Sequence, residues 1–303
     1  MHHPFRHEAV PYAGTGQFVA LAVTMLRDAL DRDERPLLLA EPARLGDVRD
    51  ALGPDADGVA LVSTDEHGRN PSRLLTMMHS FMLAGDGRRT LALSEPTQPS
   101  QGSATRAEAV LAENVLNASP LHGWAMSVVC MYDTESLDDD AITEMHRSHP
   151  VLRGEPVDND EYEPYRLQKL YGSQLPPAPD AATTVEVVGH QLGRMREVVQ
   201  SAALGWGVAP DRVDDLVLAV NEIVTNSIRH ADGRATLRLW CDGRSAVCEV
   251  RDGGWLPDPL IGRLAPDPAR ANGRGLWLAH HLCDLVQIRS TTSGTVVRLF
   301  VDC

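Results

Sequence analysis

The sequence predicts two domains of different fold class, α/β in the first half and α+β in the second. Three observations carry this. Between residues 5 and 150, short continuous apolar runs alternate with helix-like stretches; beyond residue 185, helices come first and hairpin-like strands after; between them lies an acidic, then Pro- and Ala-rich segment with little periodicity. A chain of 303 residues has room for two domains, each burying its own core. The expected division is 1–165 for the first domain, 166–184 for a linker and 185–303 for the second.

In the first domain the apolar runs are "PLLLAEP", "GVALVST", "TLALSEP" and "WAMSVVCMYD", separated by "QFVALAVTMLRDALDRD", "PSRLLTMMHSFMLAG" and "ATRAEAVLAENVLNA". Runs that are apolar throughout imply strands covered on both faces, hence a parallel sheet between helices. "PYAGTGQFVALAV" stands where such a domain binds phosphate, after strand one and before a helix, but lacks the GK[ST] ending of a P-loop. "SVVCMYD" ends an apolar strand on Asp133, as a Walker B segment does. His7, Tyr12 and Asp133 are the polar candidates of this domain. Each also has a structural reading, as strand residue, core aromatic and helix cap. Met25, Met77, Met78, Met82 and Met145 read as core filler.

The second domain opens with "GHQLGRMREVVQSAALGW", which puts Leu192, Met195, Val199 and Ala202 on one helical face. The next helix starts at "APDRVDD", with Pro210 suited to its first position and Asp211, Asp214 and Asp215 to the positive end of its dipole. Val213, Leu216, Val220, Ile223 and Val224 form its buried stripe, and Glu222, Asn226 and His230 share another face, one turn apart. For that helix alone, a solvated polar face with a C-terminal His favoured by the dipole explains the three better. "ATLRLWC" and "SAVCEVRD" form a hairpin at Asp242-Gly243. A strand-free stretch follows at 253–272, then a short helix "GLWLAHHLCDL" and a last hairpin "VQIRSTTSGTVVRLFVD".

A net charge of -14 argues against nucleic acid as a partner, since phosphate binding needs a basic surface. No apolar run is long enough to cross a bilayer, and the first residues lack a secretory pattern, so a cytoplasmic location is expected. The five cysteines show no CxxC spacing and the histidines no HExxH, so neither a disulfide framework nor a metal held by protein alone is expected.

"EVRDGGW" ends a strand on Asp252 with two glycines behind it, and "NGRGLWLAHHL" puts Gly273 and Gly275 ahead of a helix, where free N–H groups favour an anion. ExxxN on a helix, DxG after a strand and GxGL before a helix occur in the order and spacing of one nucleotide site. On these motifs residues 185–303 resemble the GHKL (Bergerat) ATPase superfamily, with "NEIVTNSIRH" as N box, "DGG" as first and "GRGL" as second Gly box. No dimerisation helix with an accepting His precedes them, which resembles the anti-sigma serine kinase branch. "DPLIGRL", "GRGLWLAHHLCDLVQIRS" and "GTVVRLF" are similar to RsbA-like anti-sigma regulators.

The resemblance implies ATP and Mg²⁺ as cofactors, Asn226 as the Mg²⁺ ligand and Glu222 as the catalytic base. It also implies Asp252 as acceptor for the adenine amine, Gly254 as space for the ring, and Gly273, Arg274 and Gly275 as the phosphate cradle. His230 shares the nucleotide-facing side of its helix, and Thr295 contacts the base side. Leu256 stands where many relatives have a second Gly and the lid is short, which implies slow turnover. On "FRHEAVPY", "PLLLAEP" and "CMYD", residues 5–165 resemble the MEDS sensory domain, itself similar to a degenerate RecA/KaiC-type ATPase. That implies sensing, with a small-molecule ligand, rather than hydrolysis, and places His7, Tyr12 and Asp133 near the C-terminal edge of the sheet, where open α/β folds bind ligands.

Together these imply an anti-sigma regulator that binds an alternative sigma factor and phosphorylates Ser or Thr on a STAS-type anti-anti-sigma protein, with homodimerisation through the GHKL sheet. The alternatives are a non-catalytic nucleotide-binding sequestration module and a sensor histidine kinase acting on a separate acceptor.

Overall fold

The computed structural model describes residues 5–65, 69–118, 121, 123–153, 159–266 and 273–303. The chain divides into two compact units, Met1–Leu167 and Gln168–Cys303. His2 and His3, and positions 267–272 of the stretch between the Gly boxes, lie outside the described residues.

The first unit runs β1 (Arg6–Tyr12), α1 (Gly14–Asp31), β2 (Arg35–Ala40), α2 (Pro42–Leu52), β3 (Ala60–Ser63), α3 (Pro71–Leu83), β4 (Thr90–Ser94), α4 (Ser103–Leu116), β5 (Met126–Asp133), α5 (Asp139–Ser148) and β6 (Val151–Leu152). Its six strands lie in the order β3-β2-β4-β5-β1-β6, every pairing parallel. β2, β4 and most of β5 are buried along their length, as strands clad on both faces must be. On one face Val10, Tyr12, Leu38, Leu93 and Met131 pack with Phe18, Ala22 and Leu26 of α1. Pleating sends His7, Cys130 and Tyr132 to the other face.

The second unit holds β7 (Thr183–Val188), α7 (Leu192–Gly205), α8 (Pro210–His230), β8 (Arg234–Cys241), β9 (Ser245–Asp252), α9 (Arg274–Leu282), β10 (Leu285–Thr291) and β11 (Gly294–Asp302); α6 (Arg166–Tyr171) spans the division between the units. The strands form an antiparallel sheet ordered β10-β11-β9-β8-β7. Residues 166–184, read as linker, thus contain α6 and the first residues of an edge strand, β7. α7 buries Met195, Val199 and Ala203, so the apolar face is turned by one residue from the expected Ala202.

α8 begins on Pro210 and buries Val213, Leu216, Val220, Ile223 and Val224, as its periodicity requires, together with Ala219 and Ser227. Val250, Leu237 and Val297 share one face of the sheet by register. The opposite face carries a charged row: Arg298, Glu249 and Arg238 stand side by side on β11, β9 and β8. Glu249 is fully buried and accepts from Arg251 Nε at 2.6 Å and Arg298 Nε at 3.0 Å. Burial raises its pKa, but these two guanidinium groups outweigh that and hold it below the ordinary value. Arg298 Nη2 also donates to the Pro176 carbonyl at 2.8 Å, which ties the segment after α6 to this face.

Candidate nucleotide site

Asp252 ends β9 directly opposite Thr295 on β11. Ser227, a hydroxyl inside the buried stripe of α8, donates to Asp252 Oδ2 at 2.5 Å, and the Gly254 N–H donates to Oδ1 at 2.8 Å. A carboxylate oxygen can accept more than one hydrogen bond, so each keeps acceptor capacity for a ligand. A relay pins the loop beyond: the Leu256 N–H donates to Ser290 Oγ at 2.8 Å, Ser290 stands 2.7 Å from Thr295 Oγ1, and Thr295 Oγ1 donates to the Gly254 carbonyl at 2.8 Å. Tyr171 adds its hydroxyl to the Leu256 carbonyl at 3.1 Å.

This framework encloses a pocket of about 220 Å³ with apolar walls from Ile223, Leu256, Ile261, Leu276 and Val297. Asn226, His230, Asp252 and Thr295 supply its polar groups, and Gly254, Gly273 and the 60% exposed Trp255 complete the rim. An apolar cleft with a few convergent polar groups suits a flat heteroaromatic ring.

The first turn of α9 backs onto the polar face of α8. A Cβ on Gly275 would stand 2.8 Å from Asn226 Nδ2 and 3.2 Å from Glu222 Oε2, so only glycine lets the two helices meet there. Gly273 caps α9 with φ 94, a left-handed conformation, and no acidic side chain or side-chain cap among the described residues occupies the helix start. A helix start of this kind favours an anion. The residues present fit ATP with Mg²⁺: a carboxylate acceptor in an apolar cleft, a glycine-capped helix N-terminus, and oxygen-bearing Asn226 and Glu222, the donor type Mg²⁺ prefers.

Six of the nine residues expected at the nucleotide site, Asn226, His230, Asp252, Gly254, Gly273 and Thr295, line one cleft. Glu222 and Gly275 meet beside Asn226. Arg274 opens α9 at the surface and is not among the residues lining the pocket. Sequence reading missed Ser227, Ser290, Trp255 and Tyr171; Ser227 alone carried a signal, as a hydroxyl four residues after Ile223 in an apolar stripe. Gly275→Ala is expected to push Asn226 and Glu222 off position. Overpacking of this kind costs about 1–3 kcal/mol, read as a lower Tm of the second unit together with weaker ATP binding.

At the C-terminal edge of the first unit's sheet, Tyr12 and Asp133 are in register, as expected. Both are engaged by the protein. Tyr12 donates to Glu95 Oε1 at 2.5 Å, and Arg44 lies 3.2 Å from Glu95 and 3.4 Å from Asp133, above the Tyr12 and Phe18 rings. Asp133 Oδ1 accepts the Gly14 N–H at 3.2 Å and so caps α1 across the sheet. Burial raises the Asp133 pKa, yet the N–H donors of Gly14 and Glu135 and the nearby Arg44 bring it below its usual value; burial dominates at Glu95 and raises it.

His7 is not at that edge. It lies in the first half of β1, opposite Val128, buried on the face toward Asn117 and Cys130. Tyr12 stands at the end of the strand, and His7 five positions earlier. Burial lowers the His7 pKa to about 4, the Asn117 hydrogen bond opposing in part.

Residues 188–301 match the family described as histidine kinase-like ATPase domain. Residues 6–150 match MEDS, the methanogen/methylotroph DcmR sensory domain. A solved structure of the RsbU and RsbW domains of a Mycobacterium tuberculosis protein aligns at 17% identity and a TM-score of 0.29, over 41% of this chain and 32% of that one, so about a third of that chain is spanned. No curated protein matches. Among the described residues no helix is long and apolar enough to cross a membrane. The chain thus carries a MEDS sensory domain over residues 6–150, followed by a histidine kinase-like ATPase domain over residues 188–301.

Proposed function

We propose that this chain is an ATP-dependent anti-sigma regulator acting in the cytoplasm. In this reading the second unit binds ATP with Mg²⁺, holds an alternative sigma factor, and phosphorylates a Ser or Thr of a STAS-type anti-anti-sigma protein. A signal received by the first unit shifts the balance between the two partners. The observation that carries the proposal is the close approach of Gly275 to Glu222 and Asn226 beside the Asp252 pocket.

Each residue then has a task. Asp252 accepts the adenine amine, Gly254 leaves space for the ring, and Thr295 and His230 border it. The backbone of Gly273, Arg274 and Gly275 holds phosphate oxygens, with the Arg274 guanidinium as a charge donor from the helix start. Mg²⁺, when bound, neutralises phosphate charge, and Asn226 offers it an amide oxygen. Glu222, one turn before Asn226, takes the proton of the acceptor hydroxyl as that oxygen bonds to the γ-phosphorus and the bond to ADP breaks.

The test is incubation of the purified chain with γ-labelled ATP and a purified STAS-type protein. Label on the STAS protein that survives acid supports the proposal. Acid-labile label on an added histidine acceptor makes the chain a histidine kinase instead, and nucleotide binding without transfer makes it a sequestration module.

A further inference from the structure

A second constellation lies in the first unit, on the face of the parallel sheet opposite α1. His7 of β1, Glu113 of α4, Cys130 of β5 and His149 directly after α5 are all buried, and one ligand atom from each lies within 4.8 Å of every other. Their hydrogen bonds decide which atoms face inward. His149 Nδ1 is 2.9 Å from the Met145 carbonyl, which can only accept, so Nδ1 carries the proton and Nε2 presents a lone pair. His7 Nδ1 is 2.9 Å from Asn117 Oδ1, and the orientation of that amide is set by its Nδ2, which donates to the Ser148 carbonyl at 2.8 Å. His7 Nε2 therefore also presents a lone pair, 3.4 Å from Cys130 Sγ. His149 Nε2 lies 3.4 Å from Glu113 Oε1 and, although buried, has no hydrogen-bond partner among the described residues.

A buried nitrogen lone pair without a donor is costly, and each such group calls for an explanation. We propose that His7, Glu113, Cys130 and His149 form a binding site for a zinc-class divalent transition-metal ion. Two imidazole nitrogens, a thiolate and a carboxylate suit zinc and are unlike the all-oxygen sets of Mg²⁺ and Ca²⁺. Thiolate and carboxylate together cancel the two positive charges, so the loaded site is neutral in a dry interior. Binding displaces the Cys130 thiol proton, and the Glu113 proton where it is present, to solvent.

The outer contacts have the form metal-ligating histidines require, each ring N–H fixed by an oxygen acceptor. Tyr132 donates to Glu113 and fixes that carboxylate in turn. Bond lengths of about 2.0–2.3 Å from zinc to N, O and S place tetrahedral ligands roughly 3.3–3.6 Å apart, so only the widest pairs must close, by about an ångström. A pocket of about 50 Å³ lined by Thr97, Arg106, Glu113, Tyr132, Glu144 and Met145 borders the cluster at Glu113. With four protein ligands the site is closed, and the ion ties β1, β5, α4 and the end of α5 together.

The experiment uses the full chain, stripped with a chelator and reloaded with Zn²⁺ or Co²⁺, with bound metal measured by mass spectrometry after gel filtration. Nucleotide plays no part in it, so its outcome is separate from that of the kinase proposal. The expected result is one metal per chain, with a thiolate-to-cobalt absorption band that Cys130→Ser removes. Cys241→Ser with Cys303→Ser, at two exposed cysteines, leaves both unchanged. Asn117→Ala keeps all four ligands and is expected to weaken zinc about 10- to 100-fold by freeing the His7 ring. That graded loss is a readout which misfolding of a ligand variant does not imitate, provided far-UV circular dichroism is unchanged. Stoichiometry near zero in the wild-type chain, or metal content equal to wild type in Cys130→Ser and His149→Ala, overturns the site.

Discussion

Asp252→Asn is expected to remove most of the thermal stabilisation that Mg-ATP gives the second unit while leaving the unliganded fold nearly as stable. In the native site Oδ2 accepts from Ser227 and Oδ1 from the Gly254 N–H. An Asn side chain keeps one oxygen for the Gly254 N–H and turns its NH₂ toward Ser227, whose hydroxyl can rotate to the Ile223 carbonyl, 3.1 Å away. The framework therefore survives. An adenine amine now meets a donor, a mismatch of about 1–3 kcal/mol, or roughly 10- to 100-fold in affinity. At ATP one hundred times above its wild-type Kd, stabilisation of about 2.7 kcal/mol falls to about 0.4 kcal/mol for a hundredfold loss. Differential scanning calorimetry reads this as an ATP-dependent Tm shift of several degrees that shrinks to about one. An undiminished shift in the variant would remove Asp252 from the adenine site.

The second large effect is on transfer. Glu222→Gln keeps the shape of the side chain that packs against Gly275, so nucleotide binding and its Tm shift are expected to persist. What it removes is a proton acceptor beside the phosphate, and general bases contribute about 10²- to 10⁴-fold. Phosphate incorporation into the STAS acceptor, measured at saturating ATP, is expected to fall by that factor with little change in KM for ATP. A parallel loss of the Tm shift would assign Glu222 a structural part, and full activity would put the base elsewhere.

The elements that a single periodicity specifies are legible in the sequence. Helix α8 shows its stripe from Val213 to Val224 because every buried residue there is apolar, and its start because Pro210 fits the first position. The strands β2, β4 and β5 are legible as continuous apolar runs. β7 is not, because its sequence "TTVEVV" is exposed or half-exposed at all but one position of a sheet edge and follows a Pro- and Ala-rich segment. The nucleotide cleft was legible because ExxxN, DxG and GxGL are each local. Its hydrogen-bond relay was not, since Tyr171, Leu256, Ser290 and Thr295 come from separate elements and only tertiary packing joins them. The same limit hid the His7, Glu113, Cys130 and His149 cluster: no two ligands stand at a spacing that a short motif records. Arg44 was likewise silent, although it fills the sheet edge where Tyr12 and Asp133 lie.

Strand order in the first sheet also sets a schedule for folding. β1 is synthesised before every other strand, yet both of its neighbours, β5 and β6, come last. His7 and Cys130 are 123 positions apart, and at 5–20 residues per second the ribosome takes about 6–25 s to cover that distance. Through that interval β1 has two unsatisfied edges, open to pairing with the wrong partner. Parallel pairing over so long a separation is itself slow. The β5-β1-β6 end of the sheet therefore closes last, and the four side chains that share its far face first meet when synthesis of the whole unit is nearly done.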